Sequence, residues 1–226
     1  FIFFFMTFWL FSSLFNSMMT FLPKRDIIMK ERAAGSYHLS AFFIAKNLSE
    51  MPIRLFLPFL YLCIAYPMAG LNPSPRIFFG IVGIQLLSTL VGESYGLLVG
   101  TVTMHFDRAM MYATLVGLSM MLTGGYFIQP LPFFIRWVRY LSPFKYSYDA
   151  CVQLEFSRSV DCNNGVYLPR CLDPSKSSVS GGYVVEFLGS TESIEFNCLM
   201  LAVLAVSVRF LAYCALRFIP HNNGRR

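Results

Sequence analysis

The feature that most constrains this chain is its opening stretch, residues 1–22, which carries no charged side chain. A helix of that length rises about 33 Å at 1.5 Å per residue, enough to cross about 30 Å of hydrocarbon. Comparable apolar runs follow at 39–71, 77–104, 109–128 and 196–216. The second keeps its charges in its first half, the third holds one acid, Glu93, and the last is interrupted by Arg209. The whole chain is 56% hydrophobic and 13% charged, about half the charge of a soluble domain. That balance excludes an ordinary water-soluble domain, and disorder needs the opposite composition. A transmembrane barrel would show alternating segments of about 10 residues, and the chain has none. The expected fold is all-α: a polytopic helical membrane bundle of five spans with a long external loop at 129–195.

Orientation follows from the basic residues. The net charge of +6 suggests no nucleic-acid partner, because Lys and Arg cluster at the ends of apolar runs, as in the cytoplasmic loops of membrane proteins. Lys24, Arg25, Lys30 and Arg32 place the first connection inside. The Asn72-Pro73-Ser74-Pro75 turn falls outside, His105-Phe106-Asp107-Arg108 inside, and the tail with Arg217, Arg225 and Arg226 inside. Alternation then puts 129–195 outside despite Arg136, Arg139 and Lys145, since long translocated segments escape the rule. The chain opens within an apolar run, with neither a basic n-region nor a small-residue cleavage site, and reads as part of a longer protein. The Asn47-Leu48-Ser49 sequon lies on the cytoplasmic side, so glycosylation there is not expected.

The external segment holds Cys162 and Cys171 amid Asn-Gly and Pro turn signals. In an oxidising compartment they read as a disulfide, with two free thiols as the competing reading. Cys151 is a further candidate, for pairing between subunits. Cys63, Cys198 and Cys214 read as packing residues.

Further features carry chemistry. Lys46, Glu50 and Arg54 recur every four residues and share one helix face. They read either as a polar hinge or substrate contact at the inner boundary, or as a snorkelling helix start. Pro52 and Pro58 would kink that helix. Gly92, Gly96 and Gly100 let another helix approach closely, and Glu93 beside them needs a partner or a water-filled cavity. Thr123-Gly124-Gly125-Tyr126-Phe127 and Pro130 and Pro132, with the aromatic stretch 133–140, read as a re-entrant segment or an aromatic belt. There is no phosphate-binding Gly-rich loop, nucleophile elbow or Cys-x-x-Cys pair. Catalysis, metal binding and a cofactor held by this chain are not expected.

Several of these residues together resemble a known family. Lys30-Glu31-Arg32-Ala33-Ala34-Gly35-Ser36-Tyr37-His38-Leu39-Ser40, then Lys46, Glu50 and Pro52, then Thr123-Gly124-Gly125-Tyr126-Phe127, Tyr140-Leu141-Ser142-Pro143-Phe144-Lys145-Tyr146 and Glu155-Phe156 resemble the membrane domain of G-subfamily (White-type) ABC half-transporters, in wording closest to plant-type members. The resemblance implies an ABC-2 type transmembrane domain lacking its N-terminal nucleotide-binding domain and first helix. ATP and Mg would bind that absent domain.

It further implies a homo- or heterodimer around a central cavity in the lipid bilayer. The product would be an exporter of a hydrophobic or amphipathic small molecule (lipid, sterol, terpenoid or hormone-like), with the expected location a multi-pass setting in the plasma membrane. By the same resemblance, residues 23–38 with Lys30, Glu31 and Arg32 form the coupling region. Phe11, Phe15, Thr114, Leu118 and Met121 line the cavity, Tyr126 and Phe127 plug the exit, and Arg54 falls near a position that affects substrate choice in some relatives. The rival readings are a secondary transporter or channel built on Glu93 or the Lys46, Glu50 and Arg54 face, and a truncated, non-transporting regulatory fragment.

Overall fold

The computed structural model describes residues 2–33, 39–103, 105–124, 136–157, 160–161, 178–190 and 192–218. In chain order the elements are α1 (Ile2–Ala33), α2 (Leu39–Met68), α3 (Pro75–Val102), α4 (Phe106–Thr123), α5 (Arg136–Leu141), α6 (Pro143–Glu155), β1 (Val160–Asp161), β2 (Ser178–Val179), α7 (Gly181–Phe187) and α8 (Ile194–Phe218). The two short strands pair antiparallel, Val160 opposite Val179. Among the described residues four helices are long and apolar enough to cross a membrane: α1, α2, α3 and α8. The chain is a multi-pass integral membrane protein. The described part of the fourth apolar run lies in α4, whose first turn carries Asp107.

α3 is the hub. Of its span 61% is buried, against 11% for the α2 span, so α3 is central and α2 peripheral. The glycines of α3 explain its closest neighbour. A Cβ on Gly92 would lie 2.7 Å from the Leu10 carbonyl oxygen, and one on Gly96 would lie 2.2 Å from that of Leu14. Both distances are too short for any side chain, so α1 rests directly on the glycine face. Leu10, Leu14 and Met18 fill the space around it and are fully buried. α8 covers another side of α3, where the Ser94 hydroxyl donates to the Ala205 carbonyl at 3.2 Å.

The α2–α3 connection is short. Gly70 adopts φ 65°, the left-handed conformation that suits glycine after a helix end, and Pro75 opens α3 at a position where a missing N–H costs nothing.

The structure departs from the sequence reading at 143–155. That stretch lies within the expected external loop, yet α6 is buried from Pro143 to Val152 and packs against α8, α3 and α1. Its start is pinned on both sides: Ser142 Oγ donates to the Met120 carbonyl at 2.7 Å, and the Tyr95 hydroxyl donates to the Leu141 carbonyl at 2.9 Å. Cys151 is corrected as well. It is fully buried in the core and cannot present a thiol to another subunit, and burial raises its pKa well above the usual thiol range.

Candidate functional site

α1 does not stop where its apolar run ends. It continues as one helix through Pro23 to Ala33, carrying Lys24 and Lys30 beyond the hydrophobic stretch. At 1.5 Å per residue its 32 residues extend about 48 Å, some way past a hydrocarbon core of about 30 Å. Lys30 is exposed, and Glu31 and Arg32 sit in the last turn.

Where α1 leaves the apolar region, charged groups from four helices meet. Lys24 Nζ on α1 lies 3.3 Å from Glu50 Oε1 on α2, and Arg54, one turn further on, donates to Glu50 Oε2 at 2.5 Å. The same guanidinium reaches 3.6 Å from Glu93 Oε1 on α3, and Arg209 on α8 donates to Glu93 Oε2 at 2.9 Å. Glu93 is 3% exposed, and its two arginines supply the partners that a carboxylate at this depth requires. The spacing of Lys46, Glu50 and Arg54 therefore joins only the last two. Lys46 turns to the Phe21 ring, 4.5 Å from its centroid, and its buried Nζ makes no hydrogen bond.

The expected cavity residues fall into two groups. Phe11 lies against Gly117 of α4, where a Cβ would come 2.4 Å from its ring, and 5.8 Å from the Phe144 ring of α6. Phe15 stacks on it at 6.1 Å. Thr114 and Leu118 on α4 are exposed, and Met121 is half-buried. Together with Met111, Leu115 and Leu122, they leave α4 an uncovered apolar face. Tyr126, Phe127, Cys162 and Cys171 lie outside the described residues.

The sequence did not single out a second anchor, at the end of the bundle that holds the α2–α3 turn. Glu155 Oε1 accepts the Asn72 backbone N–H at 2.7 Å, and the Tyr66 hydroxyl lies 3.2 Å from Oε2. This carboxylate ties the end of α6 to the α2–α3 turn. Nearby, Asp149 is 4% exposed and its Oδ2 has no hydrogen-bond partner. Burial raises its pKa to about 6, with Lys145 and Arg139 pulling down and Glu192 pushing up. Lys145 sits over the Tyr140 ring at 4.9 Å, and burial lowers its pKa.

A protein-family model described as ABC-2 type transporter matches residues 1–156. The chain belongs to the ABC-2 type transporter family. Among curated proteins it is 33% identical over 222 residues to ABC transporter G family member 21 of Arabidopsis thaliana, covering 96% of this chain and 31% of that protein. It is 31% identical to G family member 14 of the same plant, covering 95% of this chain and 32% of the relative. It is 30% identical to Protein white of Drosophila melanogaster, covering 96% and 31%. The chain thus spans about a third of the length of the curated relatives it matches. This ABC-2 membrane domain places its charged cluster where α1 passes out of the apolar region and leaves the α4 face uncovered.

Proposed function

We propose that this chain is the membrane-spanning part of an ATP-driven exporter of hydrophobic or amphipathic molecules in the plasma membrane. It works as a dimer with a second half-transporter, and ATP and Mg bind a nucleotide-binding domain outside this chain. The observation that carries the reading is α1, one helix from the bundle core through the basic stretch to Ala33. A push on Lys30, Glu31 and Arg32 would move Leu10 and Leu14, which rest on the α3 glycines, and Phe11, which rests on α4. The uncovered α4 face with Thr114, Leu118 and Met121 supports a substrate cavity completed by the second subunit, with Phe11 and Phe15 forming its aromatic floor. Tyr126 and Phe127 would close its outer end.

The test replaces Glu31 and Arg32 with Ala in the intact protein. Loss of ATP-dependent export with normal folding and trafficking supports coupling through this helix end. Unchanged export and ATPase activity would refute it.

A further inference from the structure

Among the described residues, cations outnumber acids in the inner cluster. Glu50 and Glu93 face Lys24, Lys46, Arg54 and Arg209, and each carboxylate oxygen already lies within 4 Å of a cation, although Glu93 Oε1 accepts no hydrogen bond. Lys46 has no hydrogen bond for its buried Nζ. Arg209 gives one terminal nitrogen to Glu93, and its buried Nε has no partner. Surplus positive charge at membrane depth is costly unless an anion accompanies it.

Beside Arg209 a groove of about 240 Å³ opens between α2 and α8, lined by Phe43, Ile44, Asn47, Leu48, Met51 and Arg209. Ile44 and Leu48 are 64% and 67% exposed, so the outer wall faces acyl chains in a bilayer. Asn47 commits its Nδ2 to the Phe43 carbonyl at 2.7 Å, and Arg209 is the charged group among the described residues of the lining.

We propose that this groove binds an anionic phospholipid of the cytoplasmic leaflet. The phosphate takes the terminal N–H groups of Arg209 that Glu93 leaves free, and an acyl chain lies along Ile44, Leu48 and Met51. The groove has room for a headgroup but not for a whole lipid, whose chains continue over the exposed faces of α2 and α8. Anionic lipids concentrate in the cytoplasmic leaflet, where basic pockets between helices collect them. The assignment does not depend on the export reading.

The intact protein is placed in nanodiscs containing phosphatidylserine or phosphatidylcholine with a photoactivatable acyl chain, and the label is mapped by mass spectrometry. Phosphatidylserine is expected to label the segment holding Ile44, Leu48 and Met51 about fivefold more than phosphatidylcholine, from one arginine's contribution. Arg209→Gln should abolish that preference, and Arg209→Lys should keep most of it. Leu48→Trp, which fills the groove and leaves the pair with Glu93 intact, should lower the labelling and serves if Arg209→Gln does not fold. Equal labelling by the two lipids, or undiminished labelling in Leu48→Trp, overturns the proposal. So does absence of label, which means that another protein segment fills the groove. Complete displacement by glycerophosphoserine overturns the lipid assignment in favour of a free phosphate ester.

Discussion

Arg209 on α8 donates to Glu93 on α3 across 2.9 Å, joining residues 116 positions apart at the level where the polar face of α2 meets the bundle. Because Glu93 is buried and Arg209 largely so, the cost of breaking the pair lies in the charge left behind. Glu93→Gln should destabilise the protein by about 3 kcal/mol. Adding Arg209→Gln should recover part of that loss. Thermal unfolding of the single and double variants in detergent measures it, and strictly additive losses would show that the two groups do not interact.

The glycine face of α3 makes a paired prediction. Gly96→Ala puts a methyl 2.2 Å from the Leu14 carbonyl oxygen, whereas Gly83→Ala meets nothing within 4 Å. The first should cost about 1–3 kcal/mol by forcing α1 away, and the second should leave stability unchanged. Unfolding midpoints of the two variants decide it; equal midpoints would contradict the contact.

Much of this architecture is legible in the chain itself, because hydropathy runs and the Gly92, Gly96 and Gly100 spacing are local signals. The partners of Glu93 are not, since nothing local links it to Arg54 or Arg209. α6 escaped for a different reason. Lys145, Ser147 and Asp149 give it a polar surface composition, and its burial comes from tertiary packing, with Lys145 shielded by Tyr140 and Tyr146. Glu155 was noticed only as part of a motif, because its grip on Asn72 depends on how two distant turns meet.

Asp149 should make stability pH-dependent. Its pKa in the folded protein, about 6, lies above its ordinary 3.8, so the folded state holds the proton more tightly. Stability from this group is therefore greatest at low pH and falls as pH rises from about 4 to 6, by at most about 3 kcal/mol. Asp149→Asn should flatten that part of the profile. Unfolding midpoints of both proteins between pH 4 and 7, compared at each pH, provide the check; identical slopes would count against a buried, proton-binding Asp149.

Glu155→Ala should loosen the α2–α3 turn by removing the acceptor for the Asn72 N–H, at a cost of about 1–3 kcal/mol. Hydrogen exchange at Asn72 reads this directly. Faster exchange there, with no change in the α1–α3 contact, is the expected result; unaltered exchange would mean that Glu155 does not hold the turn.

The central claim is that ATP drives movement of an amphipathic molecule through a bundle to which this chain contributes. Uptake of an amphipathic dye by inside-out vesicles containing the intact protein tests it most directly. The account predicts accumulation that requires hydrolysable ATP and persists when the proton gradient is collapsed. Accumulation driven by a proton gradient in the absence of ATP would contradict it.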